Sequence, residues 1–365
     1  MSPSPVDAQG LAERTGGWID SKAPDADVVV SCRVRLARNM SGIPFQARLD
    51  KDRAVGLVER VRASLVDARL DGETLWVPMA EAGDVLKMLL IERNLASRDL
   101  VSAEAGHAGP EGRAVAFGRS ETISVMVGEE DHVRLSALAA GYDLDLAWQR
   151  AQNLDRYLEG QLPYAHSDKL GYLTACPTNV GTGLRASVML HLPALGLVRP
   201  ELEKVFLAAQ HTGLAVRGMH GEGSRAAGDL YQISNQVTLG RTETELITDL
   251  QALVPGIVEF ERRMRRELVN RHRTPLRDRV TRSYGTLRSA RALPTEEALA
   301  HLSTLRLGLH QGLIDNVSSE VLDHLGLQVQ KGHVLALARQ GDEAPVDASE
   351  RDKLRASLLR ARLAG

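Results

Sequence analysis

The stretch "CPTNVGTGLRASVMLHLPAL" occupies residues 176–195, and its centre, "GLRASVMLHL", is β-like in composition. Residues with helical spacing lie on both sides of it, at 50–70, 80–97, 145–162 and 199–213. Between these helices lie further β-like runs, namely "SCRVRLAR" (31–38), "GRAVAFG" (112–118), "ETISVMVG" (121–128), "LGYLTAC" (170–176), "LAVRGMHG" (214–221) and "LYQISNQVTLG" (230–240). The pattern predicts a domain that mixes a β-sheet with helices.

After Gly240 the sequence is helical throughout. Thr242 and Glu245 have the spacing of a capping box at the start of a long helix, which Pro255 is expected to kink or divide. Pro275 and Pro294 are expected at helix starts, and residues 349–363 form the last helix. We therefore predict an α+β fold with three parts, an N-terminal segment (1–24), a sheet-containing domain (25–260) and an all-helical domain (261–365).

The composition excludes several classes of protein. Hydrophobic residues make up 43% of the 365 residues and charged residues 25%, the balance of a globular protein with a sizeable core. The 45 Lys and Arg residues balance 47 acids, so the charge predicts neither a nucleic-acid binder nor a membrane binder. There is no signal-peptide pattern and no apolar run of about 20 residues. With only Cys32 and Cys176, we expect a reduced, cytoplasmic protein.

Arginine is concentrated in the segment 262–291, which contains eleven arginines. A solvated helical face with acidic partners is the ordinary interpretation. A nucleic-acid patch or a docking surface remains an alternative, and steeply salt-dependent DNA binding would indicate the former.

Five further arginines lie at the ends of β-like runs or in turns. Arg33 and Arg35 are two residues apart, so on a strand both point to one face. The others are Arg134, Arg185 and Arg217. The chain has neither a Walker loop nor a kinase-type glycine loop, so a nucleotide site would hold its phosphates with guanidinium groups. The alternative is that these arginines are ordinary surface residues.

The stretch "SVMVGEEDHVRL" (124–135) places Glu129, Glu130 and Asp131 side by side. Such acidic runs commonly decorate solvated turns. The other interpretation is chemical, because a carboxylate can align a planar guanidinium through paired hydrogen bonds and accept a proton from it.

Four segments in order resemble the catalytic domain of the phosphagen (guanidino) kinases, and more closely that of the bacterial protein arginine kinases. They are "SCRVRLARN", "GEEDHVRL", "CPTNVGTGLRASVMLHLPAL" and "RGMHGEG…YQISNQVTLG". The resemblance covers residues 25–260, and its "CPTN-x-GT-x-x-RAS" pattern is highly specific. It implies a mainly antiparallel sheet flanked by helices and an ATP-dependent kinase. Mg²⁺ would be held by phosphates and water, with no dedicated protein ligands.

The resemblance also implies roles for individual residues. Glu130 matches the carboxylate that engages the acceptor guanidinium, and Cys176 matches a cysteine beside it. Glu222 matches a second guanidine-facing acid on a mobile loop, although another register would put Arg225 there. Gly128 replaces an asparagine common in the family. Phosphate binding would fall to Arg33, Arg35, Arg134, Arg185 and Arg217.

The C-terminal segment carries the second link to the protein arginine kinases. An R-D-x-x-R-A pattern resembles the motif that lines their phosphoarginine pocket, and its residues are Arg351, Asp352, Arg355 and Ala356. An ordinary surface pattern of an arginine-rich helix is the alternative. Only some thirty residues precede Arg33, whereas creatine and arginine kinases carry a helical domain there. An open acceptor side suits an arginine within a protein.

The resemblance therefore implies a kinase that phosphorylates arginine side chains of proteins. Its expected partners are protein substrates, a zinc-binding activator protein and a Clp ATPase, with phosphorylation directing substrates to a Clp protease. We also expect a homodimer or higher homo-oligomer, with no nucleic acid and no membrane as partner. The competing hypotheses are a kinase for free guanidines and a catalytically silent adaptor that binds phosphoarginine.

Overall fold

The computed structural model describes residues 6–102, 109–218, 227–338 and 347–364. Its strands are β1 (Val29–Arg38), β2 (Thr74–Pro78), β3 (Ala114–Gly118), β4 (Ile123–Val127), β5 (Val133–Ala140), β6 (His166–Ser167), β7 (Gly171–Tyr172), β8 (Leu184–His191), β9 (Leu214–Gly218) and β10 (Leu230–Asn235). Its helices are α1 (Ala8–Glu13), α2 (Lys51–Ala68), α3 (Asp84–Glu92), α4 (Arg98–Val101), α5 (Leu144–Glu159), α6 (Pro193–Leu197), α7 (Arg199–His211), α8 (Glu243–Ser289), α9 (Thr295–His310), α10 (Ser319–Gln328), α11 (Lys331–Ala338) and α12 (Ala348–Arg362).

Eight strands form one sheet in the order β2-β3-β4-β5-β1-β8-β10-β9, and every neighbouring pair is antiparallel. β6 and β7 form a separate hairpin. The prediction of an α+β fold with a mainly antiparallel sheet, followed by a helical region, is confirmed.

The central strand β1 has two chemically different faces. Cys32, Val34 and Leu36 are fully buried in the main hydrophobic core, which also contains apolar residues of α2 and α5. Arg33 and Arg35 alternate with them and are half-buried on the opposite face. The alternation therefore directs apolar side chains to the helical layer and leaves a polar face for a site.

The long helix α8 begins where the sequence predicts. The Thr242 side chain accepts from the backbone N–H of Glu245, and the Glu245 side chain accepts in return from the backbone N–H of Thr242, which completes a capping box.

The break in α8 was predicted at the wrong residue, because the backbone leaves helical geometry at His272 and not at Pro255. Buried neighbours of Pro255 pack α8 against the main core, whereas Pro275 follows the break within the first turn of the next segment, where its missing N–H costs little.

A second hydrophobic core lies beyond this break. It is built from the last part of α8 together with α9, α10 and α12, with Val280, Leu305 and Leu359 fully buried. α8 runs without interruption past residues 260 and 261 and contributes to both cores. None of the helices in the described ranges is both long enough and apolar enough to cross a membrane.

Candidate active site

The register of the sheet brings four of the predicted phosphate-binding arginines to one face. Arg35 of β1 lies opposite Arg185 of β8 and opposite Ser136 of β5. Directly opposed residues of an antiparallel pair share a face, and so do residues two apart on a strand. Arg33 and Arg134 are two residues from Arg35 and Ser136, respectively, so all four guanidinium groups belong to the same face.

The fifth arginine reaches this face through β10. Ser187, two residues after Arg185, pairs with Ser234 of β10. Two residues before Ser234 lies Gln232, which pairs with Arg217 of β9. We call the face that carries Arg33, Arg35, Arg134, Arg185 and Arg217 the arginine face. It extends across four adjacent strands and the edge strand β9.

Burial and mutual repulsion lower the pKa values of two arginines at the centre of the arginine face. Burial, reinforced by the charge of Arg134, lowers the pKa of Arg33 to about 10. Burial also sets the pKa of Arg35 well below its usual value, with Arg33 and Arg185 adding to the effect. The Nε atom of Arg35 is buried and has no hydrogen-bond partner among the described residues. A bound polyanion would reduce the repulsion among these arginines and would accept a hydrogen bond from the unpaired Nε of Arg35.

The three adjacent acids lie in the turn between β4 and β5 and differ in their surroundings. Glu129 is buried, and its carboxylate lies 2.6 Å from Nη1 of Arg134 and accepts from the hydroxyl of Ser97. Glu130 is exposed over 44% of its side chain, and its Oε2 accepts from Nη2 of Arg134 at 2.9 Å. Arg134 thus joins the acidic turn to the arginine face, and Glu130 is the acid that remains accessible.

Asp131 is fully buried and fastens the acidic turn to the segment that carries Cys176. Its Oδ1 accepts from Nδ2 of Asn39 and from the backbone N–H of Ala175, both at 2.7 Å. Its Oδ2 is buried without a hydrogen-bond partner among the described residues. Ala175 precedes Cys176, so this carboxylate sets the position of the cysteine relative to Glu130.

Cys176 is half-buried at the start of a short turn over residues 177–179. Its Sγ lies 3.0 Å from the hydroxyl oxygen of Thr178. The hydroxyl of Thr238 lies within hydrogen-bond distance of two carbonyl oxygens of this turn, at 2.9 Å from that of Thr178 and 2.7 Å from that of Val180, and can donate to either. The cysteine therefore sits in a fixed loop. Cys32 differs, because burial raises its pKa to about 12 and keeps it a packed thiol.

Two sequence predictions fall outside the described residues. Glu222 lies in the segment 219–226, as does Arg225, whose position raised the question of register. The described strand β9 ends at Gly218, directly before this segment. Glu222 therefore stays a prediction.

The C-terminal R-D-x-x-R-A motif lies on α12, and its second arginine is almost completely buried. Arg355 donates through Nε to the carbonyl of Val329 at 2.5 Å and through Nη1 to the carbonyl of Leu293 at 2.8 Å. Nη1 also lies 2.6 Å from the carboxylate of Asp352. Ala356 is buried beside it in the second core. These contacts tie α12 to the chain after α10 and to the connection between α8 and α9.

Arg351 is half-buried, one turn before Arg355 on α12. The motif thus has a partly accessible arginine and a buried one. Spacing alone placed both on one helix face and could not separate their surroundings.

Sequence reasoning missed three polar residues that hold the site together. Asn39 donates to Asp131 and accepts from the backbone N–H of His132 at 2.9 Å, so it binds the end of β1 to the acidic turn. Ser97 supports Glu129, and Thr238 supports the turn after Cys176. Asn39 and Thr238 were within the quoted "SCRVRLARN" and "YQISNQVTLG" stretches, but Ser97 carried no local signal.

Two family models match this chain. One, described as the C-terminal catalytic domain of ATP:guanido phosphotransferases, matches residues 57–264. The other, described as the C-terminal domain of the protein-arginine kinase McsB, matches residues 273–365. Together they cover the sheet from β2 onwards, the acidic turn and the second core, whereas β1 with Arg33 and Arg35 precedes the first matched residue.

Relatives of similar length are named protein-arginine kinases. The chain is 43% identical over 349 residues to the protein-arginine kinase of Halothermothrix orenii, covering 95% of this chain and 96% of that protein. It is 41% identical over 356 residues to the protein-arginine kinase of Moorella thermoacetica, covering 97% and 99% of the two chains.

Solved structures share the fold over 71% of this chain. The duplicated taurocyamine kinase of Schistosoma mansoni with bound transition-state-analogue components matches with a TM-score of 0.59 and 28% identity, over 71% of this chain and 36% of that longer chain. A lombricine kinase matches with a TM-score of 0.56 and 25% identity, over 71% of this chain and 72% of its own. By its sequence, its two matched domains and its sheet, the chain belongs to the protein-arginine kinase family, with the catalytic domain of the ATP:guanido phosphotransferases.

Proposed function

We propose that the protein transfers the γ-phosphoryl group of ATP to the guanidino group of arginine side chains in proteins. The observation that carries the proposal is the junction at Arg134, where an accessible carboxylate meets a face of arginines. One side of this junction suits a cationic acceptor and the other side suits a polyphosphate.

The low reactivity of a guanidinium group explains why a carboxylate is needed beside the arginine face. A guanidinium has a pKa above about 12 and no available lone pair, so it is a poor nucleophile at neutral pH. Glu130 fixes the planar group by paired hydrogen bonds and takes a proton from the attacking nitrogen. A bond then forms between that nitrogen and the γ-phosphorus while the bond from phosphorus to the bridging oxygen of ADP breaks. The arginine face stabilises the charge on the phosphoryl oxygens and on the leaving ADP.

The arrangement also suits the phosphates of the nucleotide and its metal ion. The buried and unpaired Nε of Arg35 is a donor directed at no protein atom in the described chain. Glu129 is already in an ion pair with Arg134, and Asp131 is buried beneath the turn. Mg²⁺ would therefore be held by phosphate oxygens and water, as this ion prefers, and would supply further charge neutralisation at the phosphates.

An acceptor within a protein is favoured over a free guanidine by the exposure of the acceptor side. The side chain of Glu130 is 44% exposed, and Cys176 is only half-buried. A small free guanidine would gain little enclosure there, whereas an arginine in a protein is held by its own chain.

Four finer proposals come from the family. The phosphoarginine mark directs proteins to a Clp-type protease, and a zinc-binding activator stimulates the reaction. The R-D-x-x-R-A motif binds phosphoarginine through Arg351 and Asp352. Arg355 holds the carboxylate of Asp352 in place, and Ala356 packs in the second core beneath the motif. The protein acts as a homodimer or a larger homo-oligomer.

The test compares two acceptors at equal arginine concentration. The protein is incubated with ATP and either a denatured protein or free arginine, and ATP consumption is followed together with mass spectrometry under non-acidic conditions. We expect faster turnover with the protein and phosphoarginine on it. Faster turnover of free arginine would favour the free-guanidine kinase, and no turnover with either acceptor would favour the silent adaptor.

A further inference from the structure

A cleft of about 810 Å³ lies against the arginine face, and the C-terminal helices form its opposite wall. On the sheet side it is lined by Arg33, Arg35 and Ser187. On the other side it is lined by residues of α9 and α10 and by Gln330 and Lys331, where α11 begins. Its volume is in the range of ligand sites, about 300–1,000 Å³.

The wall that carries Lys331 is fixed to α3 by hydrogen bonds. The carboxylate of Glu92 accepts from the backbone N–H of Gly332 at 2.7 Å and from that of His333 at 3.1 Å. The same carboxylate lies 2.8 Å from Nδ1 of His333, whose Nε2 lies 3.1 Å from Nη1 of Arg93. Lys331 immediately precedes these two anchored residues.

The approach of α11 to α3 is also sterically close. A Cβ atom at position 332 would lie 2.8 Å from Cβ of Met88 and 2.9 Å from Oε2 of Glu92. Only a glycine at 332 allows this separation without a shift of one helix. The start of α11 therefore has a defined position at the edge of the cleft.

The same end of α3 also contacts the arginine face. Asn94, two residues after Glu92, accepts through its carbonyl from Nη2 of Arg33 at 3.3 Å. Glu92, Asn94 and Lys331 all line the cleft. A short path of bonded residues thus connects Lys331 to Arg33.

The charge of Lys331 is uncompensated within the described chain. The lysine is exposed, and no ion pair or hydrogen bond involves its side chain among the residues that the structure describes. Both oxygens of Glu92 are used by Gly332 and His333, and Arg93 is in an ion pair with Glu121 at 2.7 Å. A mobile ammonium group at the rim of an anion site has the reach and charge to contact a phosphate.

We propose that Lys331 binds a phosphate of the nucleotide from the C-terminal wall, so that both parts of the chain build the nucleotide site. This proposal rests on the proposed function, which sets the triphosphate on the arginine face. A lysine serves here as a compact charge on a flexible stem, whereas the sheet arginines supply rigid forked contacts.

The experiment measures the Kd for ATP and for adenosine by calorimetry with the full chain. Lys331→Ala is expected to weaken ATP binding by roughly fivefold, the scale of an exposed charge contact, with adenosine binding unchanged. Lys331→Arg should recover most of the ATP affinity. Lys204→Ala is the matched control, because Lys204 is an exposed lysine of α7 paired with Glu201 and lies outside the cleft.

The variant Arg35→Ala distinguishes a failure of the Lys331 contact from a failure of nucleotide binding on the arginine face. If Arg35→Ala weakens ATP binding and Lys331→Ala does not, Lys331 has no nucleotide role and the inference is wrong. If neither variant changes ATP binding, the nucleotide does not lie on the arginine face, and both the inference and the proposed function are contradicted. Equal loss of adenosine and ATP affinity in Lys331→Ala would also overturn the phosphate contact.

Discussion

Arg134 and Glu129 form a partly buried ion pair, with Nη1 and Oε2 separated by 2.6 Å. The second terminal nitrogen of Arg134 bonds Glu130 and lies 3.9 Å from Oδ2 of Asp131, so one guanidinium group contacts all three adjacent acids. Because Arg134 also belongs to the arginine face, Glu130 and the guanidinium groups of that face form one electrostatic unit. The pair with Arg134 compensates the charge of Glu129, and the carboxylate of Glu130 stays exposed.

Glu130→Gln is expected to lower the rate of phosphoryl transfer by about 10² or more, the scale on which single preorganised groups act. Glutamine retains a hydrogen-bond acceptor for Arg134 but cannot take a proton. The fold and the Kd for ATP should be unchanged, as measured by thermal unfolding and calorimetry. Glu111→Gln is the control, because Glu111 is an exposed acid paired with Lys51. Wild-type rates in Glu130→Gln would refute the role of Glu130.

Asp131→Ala is expected to lower both stability and activity. The substitution leaves the buried amide of Asn39 and the backbone N–H of Ala175 without their acceptor, at a cost of about 1–3 kcal/mol. The segment with Cys176 should then loosen relative to Glu130. Urea unfolding and kcat measurements check the two effects. An unchanged unfolding midpoint would show that Asp131 does not anchor this segment.

Arg355→Ala is expected to destabilise the C-terminal helices by about 3 kcal/mol, because it removes a buried charge bonded to Asp352 and two backbone carbonyls. Loss of phosphoarginine binding in this variant would therefore mix two effects. Arg351→Ala, at a half-buried position, is expected to weaken phosphoarginine binding with a smaller change in unfolding. Wild-type stability of Arg355→Ala would contradict the buried network, and unchanged phosphoarginine affinity of Arg351→Ala would contradict the pocket.

Gly332→Ala is expected to weaken the docking of α11 on α3, because the added methyl group would overlap Met88 and Glu92. A loss of about 1–3 kcal/mol in the free energy of unfolding is typical of such overpacking. Gly256→Ala in α8 is the matched control, since a Cβ there meets no atom within 4 Å and alanine favours a helix. Equal stability of the two variants would show that α11 is not closely docked.

The free energy of unfolding is expected to fall as the pH is lowered from about 6.5 towards 4. Burial lowers the pKa of His310 to about 4, with the charges of Arg306 and Arg265 adding to the effect. An unfolded histidine titrates near its ordinary value of about 6.5, so the unfolded chain binds more protons across this window. The contribution of His310 is complete above about 6.5 and is lost as the pH falls.

His310→Gln should reduce this pH dependence, as measured by urea unfolding at pH 7.5 and at pH 5. An identical slope in the variant and the wild type would show that His310 does not contribute. The comparison of slopes isolates this histidine from acids such as Asp323, whose pKa burial raises.

The shared face of Arg33 and Arg35 could be predicted from local patterns, since alternation on a strand places these two arginines together whatever their partners are. The strand order could not, because β1 pairs with β5 and β8, which lie about a hundred residues or more further along the chain. The roles of Asp131 and Arg355 also depend on tertiary contacts. Spacing shows two arginines four apart on α12 but does not show that carbonyls of Val329 and Leu293 surround one of them.

We propose above all that, in one phosphoryl transfer, the accessible carboxylate of Glu130 acts on the acceptor guanidinium while the arginine face acts on the phosphates of the nucleotide. A crystal structure with ADP, Mg²⁺ and an arginine-containing peptide tests it most directly. We predict phosphate oxygens within about 3 Å of the guanidinium groups of Arg33, Arg35 and Arg185, and the peptide guanidinium against Glu130. A nucleotide bound on another surface, or Glu130 turned away from the bound guanidinium, would contradict the claim.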